Sequence, residues 1–326
     1  MMPDAFADAR RLAALVHAHW GIRPARLWAI DAGHTNKTFG LDADDGPAIL
    51  RVSWPGKPAA QVEREARLLR HLRDASGLPQ RPSPRPTRQG QSAMCVDGRW
   101  LHLFETIAGQ AASDQHPDRT VPEALRALGA LHQALHSLPT TATRGCAWLH
   151  ARLERVRANP APALPPGLSA QYDDVLTAIE RHLHHADTCV QGTVQWLHGD
   201  YHAGNLLFLD GALQGILDFD DPGEGAPALE ASLALFALTR DARRDARLVY
   251  DTAHWDVGLR AYAAQCPGLD AARLLSLRPT LLPVFCADQV LIHLEAAQRG
   301  LWALRPGIGF LGCWRSLLHA PSPPGR

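Results

Sequence analysis

Apolar residues recur at helical spacing from the start of the chain. Leu12, Leu15, Val16 and Trp20 form one stripe within residues 4–20, and Gly21 ends it. The pattern then shortens, so that 26–30, 38–41 and 48–53 read as strands, with Asp44-Asp45-Gly46 turning the chain into the third. Helical spacing returns at 61–72 through Val62, Leu68, Leu69 and Leu72. Segments 93–96 and 99–105 flank Asp97-Gly98, a hairpin signal. Leu125, Leu128, Leu131 and Leu135 mark a helix over 121–138, and 168–186 reads as another. Short apolar runs follow at 194–197, 206–209 and 214–217, the last two around Asp210-Gly211. Residues 226–238 read as a buried helix, with further helices over 242–265 and 270–303. The Pro-rich stretches 78–86 and 159–167 read as loops, and the Pro-rich tail 320–326 as disordered.

Composition narrows the class of protein. A chain of 326 residues is long enough for two lobes with cores of their own. Its 33 Lys and Arg balance 33 Asp and Glu, so there is no basic footprint for nucleic acid and no acidic tail. Lys37 and Lys57 are the two lysines, and arginine supplies all other positive charge. The six cysteines are scattered without a C-x-x-C pair, as expected of reduced thiols in a cytoplasmic protein. The N-terminus lacks the apolar core of a signal peptide. The apolar stretch around 226–238 contains Glu230 and is too short to span a bilayer, so no membrane is expected.

Chemistry concentrates in residues 196–222. Asp200 and Asn205 stand five apart, in a D-x-x-x-x-N pattern within HGDYHAGN, and Asp218 opens D-F-D after the hairpin. The two hairpin arms bring loop 198–205 and the acids 218–221 to one end of a small sheet. Phosphoryl transfer needs such a trio. One carboxylate accepts the proton of the attacking hydroxyl, while an amide oxygen and a second carboxylate hold the magnesium that bridges the nucleotide phosphates. Asp200 fits the first role, and Asn205 and Asp218 fit the second.

HGDYHAGN followed by ILDFDD resembles the aminoglycoside phosphotransferase superfamily, which includes homoserine kinase-like and choline kinase-like enzymes and a bacterial stress-response Ser/Thr kinase. The resemblance implies a two-lobed, protein-kinase-like α+β fold. Its N-lobe, 1–107, would be an antiparallel sheet with a helix that binds nucleotide; its C-lobe, 108–326, would be mainly helical. ATP and Mg2+ are the implied cofactors. Arg51 stands on the third strand where the kinase pattern has lysine, and Lys37 is the alternative source of that phosphate contact. In the helix motif VERE, Glu65 maps onto the partner of that cation, with Glu63 as the alternative. Loop 31–37 would cover the phosphates. Segment 104–109 resembles the hinge between lobes, where the backbone at Glu105 and Ile107 would read adenine. The family gives the base role to the aspartate, here Asp200, and uses the first histidine, His198, to brace the loop. His202 is then structural as well. Glu230 falls where the family has an aspartate that holds the loop from below. Asp220 and Asp221 either touch a second magnesium or are solvated turn acids.

Asp288 and Glu295, seven apart, share one helix face. They either meet solvent or bind a cationic group of the acceptor. The expected activity is ATP-dependent transfer to a hydroxyl of a small molecule: an amino alcohol, a sugar or an antibiotic-like compound. The alternatives are a Ser/Thr protein kinase of the stress-response type and a nucleotide-binding pseudokinase scaffold. The histidine pairs at 132 and 136 and around 182–185 have no visible third ligand for a metal site.

Overall fold

The computed structural model describes residue 6 and residues 8–31, 35–111, 117–190, 192–241, 247–304 and 309–321. The tip of the expected phosphate-covering loop, 32–34, lies outside the described residues. So do 322–326 of the tail, residues 4, 5 and 7 of the first expected helix, and 242–246 of a later one.

Helix α1, Ala9–Trp20, starts where the Asp8 carboxylate accepts the Arg10 N–H and stops where Gly21 turns left-handed at φ 80°. Strands β1 (Pro24–Ile30), β2 (Lys37–Ala43) and β3 (Gly46–Val52) lead to helix α2 (Ala59–Leu72), then to β4 (Met94–Val96) and β5 (Arg99–Glu105). All pairings in this sheet are antiparallel, in the order β1-β2-β3-β5-β4. The α1 stripe of Leu12, Val16 and Trp20 packs with Leu41, Leu50 and Leu103 of the sheet into a core of its own. Leu68, Leu69 and Leu72 of α2 instead join the core of the helical part of the chain.

That part runs through β6 (Gln110–Ala111), α3 (Pro117–Leu135), α4 (Ala147–Arg157), α5 (Tyr172–Cys189), β7 (Gln195–Leu197), β8 (Leu206–Leu209), β9 (Ala212–Ile216) and β10 (Gly223–Gly225). It continues with α6 (Pro227–Thr239), α7 (Trp255–Ala263), α8 (Ala271–Ser276), α9 (Arg278–Gln298) and α10 (Phe310–His319). Asp97-Gly98 and Asp210-Gly211 both close their hairpins with two positive φ angles, as type I′ turns require. Among the described residues α9 is the one helix long and apolar enough to cross a bilayer. Its Leu281, Val284, Val290 and Leu294 are buried in the protein core, which accounts for that composition.

Four features differ from the sequence pattern. The run ending at Leu197 does not join the β8–β9 hairpin; it pairs antiparallel with β10, while β6 flanks β8. Helices α4 and α10 were not expected. In α4 the signal was Leu149, Leu153 and Val156 at helical spacing, short and set between loops. Within 247–265 only α7 is helical, and Arg240 bridges Tyr250 before it. Segment 78–86 is no bare spacer. Gln80 exchanges backbone bonds with Gln214 and Ile216 of the hairpin, while Arg85 and Ser83 bond Leu103 and Glu105 of β5, tying the two lobes together.

Trp148 of α4 lies flat against β10. A Cβ added to Gly225 would stand 2.4 Å from the Trp148 ring and 2.7 Å from the Gly145 carbonyl oxygen. Gly225→Ala is expected to lower stability by about 1–3 kcal/mol, the usual cost of overpacking. A denaturant midpoint equal to that of the parent would show that α4 yields freely at this contact.

Candidate active site

The hairpin and β3 present their charged residues to a cleft of about 1450 Å³ between the sheet and the helices. In loop 198–205, Asn205 donates its amide N–H to the Asp200 carbonyl at 2.9 Å and to the Asp200 carboxylate at 3.2 Å. Asp218 stands at the end of the hairpin in the left-handed region, at φ 58°, a strained conformation for a side chain that must point into the cleft. Asp200, Asn205 and Asp218 all line the cleft.

Arg51 faces them from β3. Its Nη2 donates to both Glu65 carboxylate oxygens, at 2.5 and 2.6 Å, and its Nη1 donates to Asp218 at 3.2 Å. Glu65 is 1% exposed, and Glu63 pairs with Arg70 out on the surface. Burial alone would push the Glu65 carboxyl up, but Arg51, together with His102 and Lys57, outweighs burial and holds it at about 2. Burial raises the Asp218 carboxyl, against Arg51 and with help from the negative charges of Asp200 and Glu65. Lys37 opens β2 opposite Val52; the residues of that segment lining the cleft are Thr35, Asn36 and Thr38. Glu105 and Ile107 line the cleft at the exit from β5.

The loop is held from beneath by one carboxylate. Glu230 of α6 accepts the backbone N–H groups of His198 at 3.1 Å and Gly199 at 2.6 Å, and lies 2.7 Å from His132 Nε2. His198 is fully buried; its Nε2 lies 2.8 Å from the Leu217 carbonyl oxygen and its ring packs on Phe219. Gly199 has φ 85°, and a Cβ there would meet the Asp221 carbonyl oxygen at 2.0 Å, so only glycine lets the loop pass. His202 is placed differently from His198. It faces the cleft, with Nε2 3.4 Å from the Asp200 carboxylate. Desolvation raises the Asp200 carboxyl, but the neighbouring His202, together with His198 and Arg152, outweighs it and brings Asp200 to about 2.

Neither Asp220 nor the partly exposed Asp221 is an unpaired turn acid. Asp220 is 8% exposed, receives Lys57 as an ion-pair partner, and accepts from Asn36 at 3.0 Å. Gln61 donates to its carbonyl oxygen. Asp221 pairs with Arg152 of α4. Asp288 and Glu295 are buried in the cleft wall rather than in solvent, and both are already engaged. Arg152 donates to Asp288 at 2.7 Å, while Arg155 and Arg299 each donate to Glu295 at 2.6 Å. Burial lifts the Asp288 carboxyl to about 6 in spite of Arg152. Lys57 and Arg152 are central residues that the spacing arguments passed over. Lys57 carried a signal as one of two lysines, whereas Arg152 sits on a helix that the pattern did not mark.

Magnesium fits this donor set. Asn205 spends its N–H group on Asp200, which leaves its amide oxygen as an acceptor, and Asp218 adds a hard carboxylate oxygen. Burial raises the Asp218 carboxyl, with smaller help from Asp200 and Glu65, so a cation at this oxygen would favour its ionised form.

The sequence matches the model of the phosphotransferase enzyme family over residues 27–275. No curated protein matches the chain in sequence. Among solved structures, the fold is similar to that of a spectinomycin phosphotransferase in complex with ADP and spectinomycin. That TM-score is 0.60 at 11% identity, over 95% of this chain and 99% of that one. A microcompartment-associated aminopropanol kinase gives a TM-score of 0.62 at 18% identity, over 94% of each chain. The macrolide 2'-phosphotransferase of Brachybacterium faecium gives 0.56 at 20% identity, over 96% of this chain and 99% of that one. At these identities the likeness is one of fold.

The Glu230 geometry generates a prediction. A glutamine there keeps one acceptor oxygen and turns an NH2 toward a loop N–H. Glu230→Gln should then cost about 1–3 kcal/mol through a buried donor left without an acceptor. Thermal unfolding reads this directly, and an unmoved midpoint would mean that the loop is supported elsewhere.

Proposed function

Because the chain belongs to the phosphotransferase enzyme family, we propose that it transfers the γ-phosphoryl group of ATP to a hydroxyl of a small molecule. The observation that carries this reading is the meeting of Asp200, Asn205 and Asp218 in one cleft, with Arg51 linking Asp218 to Glu65. Asp200 accepts the proton of the attacking hydroxyl. A new bond forms between that oxygen and the γ-phosphorus, the bond from the γ-phosphorus to the bridging oxygen breaks, and ADP leaves with the electron pair. At about 2, the Asp200 carboxyl is ionised at neutral pH, so it is ready to orient the hydroxyl and receive its proton. The proton then returns to solvent through the cleft.

Arg51 contacts the phosphates, and Glu65 fixes its guanidinium. The backbone at Glu105 and Ile107 receives the adenine. Asn205 and Asp218 would hold magnesium, which when bound neutralises charge on the phosphate oxygens. Gly199 and Glu230 keep the loop in place, so that positioning and fixed charge supply most of the rate. A small acceptor is favoured because α6 and α9 wall the cleft where the hydroxyl must enter, and helical walls suit compact ligands better than extended peptides. The similar folds named above bear the names of small acceptors: spectinomycin, aminopropanol and macrolides.

Radiolabelled ATP offered with amino alcohols, sugars, hydroxy acids and antibiotics, beside generic protein substrates and the enzyme alone, tests the reading. Label is expected in a small molecule; label confined to a protein band would overturn it in favour of a protein kinase. Asp200→Ala should lower transfer by about 10²–10⁴ while ADP affinity holds. Asp218→Ala should raise the magnesium concentration needed for half-maximal rate, and an unaltered requirement would move the ligand role to Asp220 or Asp221. Arg51→Met should weaken ADP binding by about tenfold or more, a charge-assisted bond's worth. Lys37→Met should weaken it less, and calorimetry that reversed this order would assign the phosphate contact to Lys37.

A further inference from the structure

The acceptor end of the cleft carries both signs of charge, and nearly all of it is already matched. Arg152 holds Asp221 and Asp288, and Glu295 is shared by Arg155 and Arg299. An amine on the acceptor would have to displace arginines to reach either Asp288 or Glu295. Arg240 is the exception on the cationic side. It caps the C-terminal end of α6 and lines the same cleft as Asp200 and His202. Its guanidinium lies over the Phe285 ring, 5.4 Å from the centroid. Its Nη1 is buried without a hydrogen-bond partner, and no carboxylate among the described residues forms an ion pair with it. The polar side chain it meets is a thiol, Cys313. Its charge is felt at His202, beside the Asp200 carboxylate.

We propose that Arg240 binds a carboxylate of the acceptor, which makes the acceptor a hydroxy acid: its carboxylate on the Arg240 guanidinium, its hydroxyl on Asp200. The hydroxyl half of this statement rests on the phosphotransfer reading; the carboxylate site does not. Buried N–H groups in native proteins have acceptors, and the guanidinium of Arg240, which lines the cleft with Nη1 unpartnered and no carboxylate paired to it among the described residues, leaves that requirement to a ligand. A guanidinium presents a flat fork that matches a carboxylate in shape and charge. The Phe285 face fixes the plane of that fork. A single flat anion also suits surroundings that hold Asp200 and Asp288 better than a phosphate with its higher charge. The same cleft is lined by Ile292, Leu301 and Trp302, which suit an apolar portion of the acceptor.

Matched compounds test this. Hydroxy acids, their methyl esters, amino alcohols and phosphorylated alcohols are compared as acceptors for the parent, Arg240→Gln and Arg240→Lys. Calorimetry of the same compounds on the ADP-loaded protein runs in parallel. The parent should favour each acid over its ester by about tenfold or more in kcat/KM and in affinity. Arg240→Gln should bring that ratio close to one, and Arg240→Lys, which keeps the charge but loses the fork, should fall between. Melting curves establish that the variants are folded, and Arg240→Lys carries the comparison where Arg240→Gln is not. Esters and acids used alike, a preference that survives Arg240→Gln, a preference for phosphate over carboxylate, or no binding of any acid would each overturn the inference. Arg240-dependent binding of acids without transfer to any compound would uphold the carboxylate site and remove the phosphotransfer reading. Transfer to esters and amino alcohols without Arg240 dependence would do the reverse.

Discussion

Charge neutralisation is the constraint on which the site depends. Asp200, Asp218, Asp220 and Asp221 arrive together at the end of one hairpin, and Glu65 is buried close by. Like charges gathered this closely repel, most strongly at the buried Asp220 and Glu65, so the cluster depends on cations among it. None of those cations comes from the hairpin. Arg51 comes from β3, Lys57 from the approach to α2, and Arg152 from α4. Four of the five acids belong to the helical part of the chain, and two of the three cations to the N-terminal part. Docking the lobes and completing the site are therefore the same event. The Pro-rich segment 78–86, bonded to β5 on one side and β9 on the other, holds that docking in register.

The second constraint is steric and acts on the loop. Gly199 passes so close to the Asp221 carbonyl that a methyl group has no room, and two consecutive loop N–H groups then point down into the core. A buried pair of donors needs an acceptor, and Glu230 provides one. The longer glutamate, compared with an aspartate, also reaches His132, whose Nδ1 stands 2.7 Å from the Tyr262 hydroxyl. The loop is thereby tied to α3, α6 and α7 at one point.

Much of this was legible in the sequence, for reasons that vary by residue. HGDYHAGN and the Asp210-Gly211 turn are local patterns, so the loop and hairpin could be read directly. The strand at 48–53 and the helical spacing of 61–72 put Arg51 and Glu65 on successive elements, and the resemblance of VERE to the family motif paired them. Lys57 and Asp220 form a contact across 163 positions, which no periodicity encodes. Arg152 belongs to a short helix whose apolar marks are sparse, and its partners come from two other elements. Asp288 and Glu295 were correctly put on one helix, but spacing cannot tell a carboxylate awaiting a ligand from one already held by arginine. Arg240 escaped notice for the mirror reason: an unanswered charge is visible only once every other charge has its partner.

Arginine at position 51 changes how the charge is shared. A lysine ammonium is a compact point charge, whereas the guanidinium has two ends. Arg51 spends one end on Glu65 and offers the other to Asp218. Lys57 stands behind it, 3.8 Å from Glu65, and takes up Asp220. Burial weakens the ammonium and brings Lys57 down to about 8, while Arg51 stays charged at any physiological pH. The work that one lysine performs in the protein-kinase pattern is thus divided. Arg51 faces the cleft, and Lys57 holds the lobes together through Asp220. A ligand that competed with Asp218 for Arg51 would leave the Lys57–Asp220 pair intact, so the site can exchange its ligand without undocking the lobes.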